Sequence, residues 1–155
     1  MDLTIDVEDY KLNIRAAAII IHNNKLLTHK DTRLNFYGLL GGRIAIGEDS
    51  KTTILREMQE EMGKNIEIIG DVGTIENFFE SDGYKYHEIE IIHRAEFVDE
   101  KDKKIEQTIK NIEGKEHLEY EWIDIEKIDE YDIRPQIIKK ILKEKRFPVH
   151  EIYRD

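Results

Sequence analysis

The chain has 155 residues and a formal net charge of −10, from 34 acidic residues against 24 Lys plus Arg. The length is that of one ordinary domain, expected over residues 1–155, and the acidic excess argues against binding to a nucleic acid polymer. The chain has no cysteine, which excludes disulfides and thiolate metal sites and is compatible with a cytoplasmic protein.

The first predicted elements are two strands joined by a turn. Residues 11–21 include an apolar run rich in isoleucine, which favours extended backbone but is too short to span a membrane. Asn23 and Asn24 suit a tight turn, and residues 25–28 return as the partner strand. Residues 31–47 hold four of the nine glycines, which predicts an irregular loop in which backbone closely approaches another group.

The clearest predicted helix covers Ser50–Met62. Ser50 is expected to cap its start and Gly63 to end it. Apolar residues recur every four positions from Ile54, so one face of this helix is apolar and is expected to pack on a sheet. The helix therefore follows the glycine-rich loop almost directly along the chain.

Three further strands are predicted after this helix, at residues 66–69, 73–80 and 85–97. The turn at residues 81–83 contains a serine, an aspartate and a glycine, which suits a hairpin between the last two strands. This part of the chain is therefore expected to supply most of the sheet.

The C-terminal third is predicted less sharply. Residues 99–116 are charged and poorly patterned, which indicates a long loop or an irregular strand pair. A short strand is expected at residues 119–123, and Pro135 is expected to open a last helix. Strands before, between and after the helices predict a mixed α/β domain rather than a regular βαβ alternation.

Three glutamates of the predicted helix form one stripe beside its apolar face. Glu57 and Glu61 lie four residues apart with Glu60 between them in angle, so at about 100° per residue the carboxylates are neighbours. Carboxylates this close hold protons unless a cation compensates, and Mg²⁺ or Mn²⁺ takes oxygen ligands of this kind. Arg56 and Glu48 can form an ion pair that ties the loop to the helix. A solvated acidic face is the alternative, but it leaves the nearby glycine loop unexplained.

The segment from Gly42 to Lys64 resembles the signature of the Nudix hydrolases. That signature is a glycine, five residues, a glutamate, seven residues and then Arg-Glu-apolar-x-Glu-Glu-x-Gly-apolar. Only Lys64 departs from it, standing where an aliphatic residue is expected. The matching residues are Gly42, Glu48, Arg56, Glu57, Met58, Glu60, Glu61 and Gly63.

The resemblance implies an α/β/α sandwich around a mixed β-sheet, with the signature as a loop–helix–loop motif. It also implies Mg²⁺- or Mn²⁺-dependent hydrolysis of a nucleoside diphosphate linked to another moiety. Nucleoside triphosphates, oxidised nucleotides and nucleotide sugars are all candidate substrates. Members are often homodimers, so the resemblance favours a homodimer. A non-catalytic nucleotide- or sugar-nucleotide-binding regulatory module is the alternative, although such a module is expected to lose carboxylates that this chain retains.

The resemblance also assigns roles to individual residues. The general base that takes a proton from water is either a glutamate of the signature or one from a distant loop, and both alternatives stay open. The candidate catalytic residues are Glu57, Glu60, Arg56 and Glu48, of which the last two orient the motif. The candidate metal ligands are Glu57, Glu60, Glu61 and the Gly41 carbonyl.

A further metal-binding acid is expected from the charged stretch before Trp122. Glu116 is the first candidate because it lies six residues before the tryptophan, a spacing similar to that in relatives whose loop supplies such an acid. Glu113 comes next, and Glu119 and Glu106 lie in the same stretch. A charged loop that serves only solubility is the alternative.

Three aromatic residues are candidates for substrate binding. Phe36 and Tyr37 come just before the glycines and are expected either to clamp a substrate or to anchor the loop. Phe78 is followed by a second phenylalanine on a predicted strand, so one of the two rings points to each face of the sheet. Phe78 can therefore stack on a base, although simple packing is the favoured interpretation. No sequence feature selects among the candidate substrates.

Overall fold

A computed structural model describes residues 1–104 and 108–155 of the chain. Within these residues it has two α-helices, α1 (Ser50–Met62) and α2 (Ile137–Glu144), and two short 3₁₀ turns, at Glu100–Lys103 and Ile125–Glu130. The strands are β1 (Thr4–Val7), β2 (Tyr10–His22), β3 (Lys25–Asp31), β4 (Phe36–Gly38), β5 (Leu40–Arg43), β6 (Ile66–Ser81), β7 (Tyr84–Phe97), β8 (Ile109–Lys110), β9 (Leu118–Asp124) and β10 (Val149–Arg154).

The strands form one mixed sheet, as predicted, in the order β10-β6-β7-β2-β3-β9-β8. β2 pairs in parallel with β7, and β10 pairs in parallel with β6. β2 and β3 are in register only next to the Asn23-Asn24 turn, at Ile21 with Leu26 and His22 with Lys25. β5 pairs with the middle of β2 instead. The glycine-rich strand therefore lies where the two halves of the sheet diverge.

Each face of the sheet packs against one helix, which confirms the sandwich. Alternate residues of β2 point to opposite faces because side chains alternate along a strand. Ala16 and Ala18 are buried in a cluster with Met58 of α1. Ala17 is buried in a second cluster with Ile141 of α2. The small side chains of β2 thus let both helices pack closely on the centre of the sheet.

Helix α1 has the predicted bounds, but its cap is the preceding residue. The Asp49 side chain accepts a hydrogen bond from the Thr52 amide, whereas Ser50 is the first residue of the helix. Gly63 ends the helix at φ 64°, in the left-handed conformation that glycine adopts without a steric penalty. The predicted stop is therefore confirmed, and the predicted cap is wrong by one residue.

The strand predictions need several corrections. The predicted irregular loop at residues 31–47 contains β4 and β5, because its glycines allow close pairing with β2 and β3. The two strands predicted at residues 66–69 and 73–80 are one strand, β6, whose register with β7 shifts twice. Such bulges interrupt the side-chain alternation that the prediction used.

The C-terminal predictions also change. The segment at residues 99–116 contains the first 3₁₀ turn and the short β8, and α2 begins two residues after Pro135. The edge strands β1 and β10 were not predicted, because four to six residues with mixed polarity carry a weak strand signal. Neither helix of the described chain is long and apolar enough to cross a membrane.

Candidate active site

The carboxylate of Glu57 lies against the bare backbone of Gly42. A Cβ atom built on Gly42 would lie 2.3 Å from Oε1 of Glu57, so only glycine leaves room for this side chain. Gly41 has φ 155°, and a Cβ there would lie 2.0 Å from the backbone oxygen of Ala16. Gly41 therefore permits close strand pairing, and Gly42 leaves room for the glutamate of the helix.

We expect Gly42→Ala and Gly41→Ala to fail in different ways. The new methyl group at position 42 displaces the flexible end of Glu57, which should lower kcat several-fold, up to about tenfold, with little change in melting temperature. The methyl group at position 41 meets strand backbone, which should lower the melting temperature. Thermal unfolding and kcat measured on both variants check this expectation. A folded Gly42→Ala variant with unchanged kcat would contradict it.

Arg56 joins the loop to the helix. Its Nε and Nη2 atoms each donate to Glu48 at 2.9 Å, and its Nη1 donates to Glu57 and Glu60 at 3.0 Å. The hydroxyl of Thr53 also donates to Glu48, at 3.1 Å. The bond from Arg56 is the main reason that the pKa of Glu48 falls to about 2. One guanidinium thus holds three carboxylates in a planar fork, which includes the ion pair expected from the sequence.

Glu61 points into the protein interior and is only 7% exposed. The Tyr120 hydroxyl donates to its Oε2 at 3.0 Å and accepts a bond from Asn111 Nδ2 at 2.9 Å. Lys115 Nζ lies 3.6 Å from its other oxygen. These three supporting residues were not predicted, since each is contributed by a segment about 50 residues away along the chain. They attach β9 and the loop before it to Glu61, near the C-terminal end of α1.

Two carboxylates of the stripe have raised pKa values. Burial raises the pKa of Glu57, and the charge of Glu61 raises it further. Burial is also the main reason that the pKa of Glu61 is raised, although the bond from Tyr120 opposes this effect. The repulsion expected from the sequence is therefore present, and a cation between the carboxylates would relieve it.

The loop contributes Glu113 to the stripe. Glu57, Glu60 and Glu113 each offer a carboxylate oxygen, and these oxygens lie within 4.8 Å of one another. Glu116 is exposed and is not in this group of the described residues. Glu119 pairs with a lysine of β8. Glu106 lies outside the described residues, so its position is not assigned.

A cavity of about 290 Å³ opens beside the carboxylates. Arg15, Arg43 and Lys115 place three positive charges on its wall, close to Glu57 and Glu61. A wall with both signs of charge suits an anionic ligand that is accompanied by a cation. The sequence singled out none of the three basic residues. The remaining lining residues are Asp2, His29, Gly41, Gly42 and Leu118.

The candidate aromatic residues pack against other parts of the described chain. Phe36 packs under the guanidinium of Arg134 at 4.6 Å, and Phe78 packs under that of Arg154 at 4.0 Å. Tyr37 is partly buried against the cluster beside α2. None of the three is among the residues that line the described cavity, so direct contact with a substrate stays a prediction for each.

Comparison with known proteins decides the family. Residues 12–144 match the family model of the NUDIX domain, which includes the whole glycine–glutamate signature. The chain belongs to the Nudix family. It keeps every carboxylate of the Nudix signature, and it is a Nudix hydrolase. No curated protein sequence matches the chain significantly.

Solved structures share this fold at low sequence identity. A MutT protein from Methanosarcina mazei Go1 is 22% identical with a TM-score of 0.64, and the match covers 90% of this chain and 95% of that one. An ADP-ribose pyrophosphatase from Streptococcus suis 89-1591 is 11% identical with a TM-score of 0.60, covering 91% and 98%. A Nudix hydrolase from Nitrosomonas europaea is 15% identical with a TM-score of 0.65, covering 92% and 79%. At these identities the likeness is one of fold.

Proposed function

We propose that this Nudix hydrolase is a divalent-metal-dependent pyrophosphohydrolase. Its proposed substrate is a small nucleoside diphosphate linked to another moiety. The observation that carries this proposal is the convergence of Glu57, Glu60 and Glu113 beside a cavity whose wall also presents Arg15 and Lys115. Carboxylates that hold cations and basic groups that attract phosphate are both needed for an anhydride between two phosphates.

The donor set fits Mg²⁺ or Mn²⁺, because all of its members are oxygen ligands on or next to one rigid helix. Glu57, Glu60 and Glu61 are the proposed ligands, together with the Gly41 carbonyl and Glu113 from the loop. The bound ion would neutralise the pyrophosphate and lower the pKa of a water molecule. The raised pKa values of Glu57 and Glu61 support this assignment, since burial disfavours the charged form of both carboxylates and a bound cation would favour it.

The side chains supply positioning and proton transfer. Arg56 and Glu48 hold the helix against the glycine strand, so the ligand oxygens keep their spacing. Glu57 or Glu60, whichever carboxylate oxygen is free of metal, is the proposed base that accepts a proton from the attacking water. Arg15 and Lys115 are placed to bind phosphate oxygens from the cavity wall.

Replacing Arg56 by lysine should not preserve activity. A lysine amine is a point charge and cannot make the two parallel bonds to Glu48 while also bonding Glu57. We expect kcat to fall several-fold, with only a modest change in melting temperature. Arg33→Lys is the matched control, because Arg33 makes a similar fork with Asp31 away from the cavity. Equal kcat for Arg56→Lys and the wild type would show that the bonds from Arg56 to Glu48 act only as ordinary surface charge.

A substrate screen with product identification tests the proposed function. Structural neighbours include a MutT protein and an ADP-ribose pyrophosphatase, so the panel should contain nucleoside triphosphates, oxidised nucleotides, ADP-ribose and nucleotide sugars. Each compound is incubated with Mg²⁺, with Mn²⁺ and with a chelator. Metal-dependent release of a nucleoside monophosphate supports the proposal. Tight binding without turnover across the panel would favour a regulatory module instead.

Four broader properties remain predictions of the same kind. We propose that residues 1–155 act as one domain and that the protein works in the cytoplasm. We propose a homodimer because members of the family are often homodimers. The expected partner is a small nucleotide derivative rather than a nucleic acid polymer, in keeping with the net charge of −10.

A further inference from the structure

The side chain of Ser50, which does not cap helix α1, bonds to the sheet instead. Its hydroxyl lies 2.8 Å from Nε2 of His93 on β7. Nδ1 of the same ring lies 2.7 Å from Oδ1 of Asp71 on β6. A hydroxyl, an imidazole and a carboxylate therefore form one hydrogen-bonded triad. The triad contains none of the residues assigned to the candidate active site.

The sheet holds His93 between its two partners. His93 and Asp71 lie directly opposite each other on β7 and β6, and the register of β6 shifts just after Asp71. Such a bulge re-aims the neighbouring side chains. His93 is only 6% exposed, and it shares a face of the sheet with Ala95, which packs in the cluster beside α1. The imidazole ring is therefore fixed between the start of the helix and the edge of the bulge.

The order of the three groups is the one that activates a serine. A carboxylate can only accept a hydrogen bond, so in the neutral ring Nδ1 carries the proton and donates to Asp71. Nε2 is then left to accept the hydroxyl proton of Ser50. A nucleophile within hydrogen-bond reach of a base, with the base oriented by a third group, is the arrangement of covalent hydrolases.

The start of helix α1 supplies hydrogen-bond donors beside the serine. The first backbone bond of the helix runs from the Thr53 amide to the Asp49 carbonyl, so the amides of Ser50 and Lys51 precede it. Amides at this end of a helix favour negative charge. They would therefore stabilise the oxyanion that forms when the Ser50 oxygen attacks an acyl group.

The triad is open to solvent at two of its members. Ser50 is partly exposed, and the side chain of Asp71 is 66% exposed. Reagents can therefore reach the hydroxyl, but water also screens the carboxylate. A screened carboxylate stabilises a positively charged imidazole less than a buried one does. The arrangement therefore suits substrates with a good leaving group rather than peptides or unactivated amides.

We propose that Ser50 is the nucleophile of a second, metal-independent activity, the hydrolysis of small activated carboxylic esters. The Ser50 oxygen bonds to the acyl carbon while its proton moves to Nε2 of His93. The bond from the acyl carbon to the leaving oxygen then breaks, and the leaving oxygen takes the proton from His93. Water repeats both steps on the acyl-serine, which releases a carboxylic acid and restores Ser50. This activity is independent of the proposed pyrophosphohydrolase, since neither a metal nor a signature carboxylate takes part.

Covalent labelling of the full chain tests the nucleophile directly. The protein is treated with diisopropyl fluorophosphate in the presence of a chelator, and the modified residue is found by peptide mass spectrometry. The chain has two serines, Ser50 and Ser81, and no cysteine, so Ser81, an exposed residue at the end of β6, is an internal control. We expect Ser50 to be labelled at least about tenfold faster than Ser81, because only Ser50 has a base beside it. Labelling of Ser50 no faster than Ser81 overturns the inference.

Hydrolysis of p-nitrophenyl acetate, again with a chelator, tests the reaction. We expect the wild type to be at least about tenfold faster than Ser50→Ala and several-fold faster than Asp71→Asn, and Ser81→Ala to match the wild type. Equal rates for the wild type and a folded Ser50→Ala variant overturn the inference. A lower melting temperature without any loss of rate would show that the triad only ties the helix to the sheet. If a variant fails to fold, the labelling of the wild type decides.

Discussion

Replacing Glu57 by glutamine is expected to lower kcat by about 10²–10⁴-fold, the range for losing a catalytic base or a metal-binding carboxylate. Glu57 is the side chain that Gly42 accommodates, that Arg56 holds at 3.0 Å and that shares a 4.8 Å cluster with Glu60 and Glu113. Glutamine keeps the shape but removes the charge, so the loss should appear in kcat and in the concentration of Mg²⁺ needed for half-maximal rate.

The control for this variant is Glu67→Gln, which changes an exposed carboxylate elsewhere on the sheet. We expect it to behave as the wild type. The Glu57→Gln protein should remain folded by circular dichroism, because the substitution also removes a partly buried charge that is repelled by Glu61. If Glu57→Gln turns over a verified substrate as fast as the wild type, Glu57 is not part of the active site.

Glu113→Gln is expected to lower kcat by about 10–10²-fold. The carboxylates of α1 lie on one rigid helix and can line only one side of a metal cluster, so a ligand from the facing side needs another segment. Glu113 is the loop residue whose oxygen comes within 4.8 Å of Glu57 and Glu60. The loop is held there by the Ile112 amide, which donates to the Glu61 carbonyl at 2.9 Å. The expected fall in kcat is that for the loss of one metal-binding carboxylate.

Glu116→Gln is the matched comparison, because it makes the same change three residues away in an exposed side chain. We expect it to be nearly silent. The opposite pattern, with Glu116→Gln damaging and Glu113→Gln neutral, would support the spacing argument from the sequence over the position of the loop in the structure. If Glu113→Gln and Glu116→Gln are both neutral, the metal is held by the residues of the signature alone.

Local patterns in the sequence were enough to predict the motif. The bounds of α1 follow from apolar residues every four positions and from Gly63, both of which act within one or two helical turns. The Asn23-Asn24 turn and the β6–β7 hairpin are similarly local, since residues with positive φ, such as Asn24 and Asp82, mark them directly. Predictions failed where pairing was decided elsewhere, as in the bulged β6 and the edge strands β1 and β10.

By itself, the sequence determined the family signature, the stripe of Glu57, Glu60 and Glu61, and the link from Arg56 to Glu48, because each depends on spacing within about two dozen residues. Only the tertiary structure decided that Glu113 rather than Glu116 lies with the stripe and that Tyr120 supports Glu61. It also decided that Arg15 reaches the same cavity. The physical reason is that sheet register and loop packing bring together segments that are far apart along the chain. Contacts between such segments produce no periodic pattern of residues that could be recognised in the sequence.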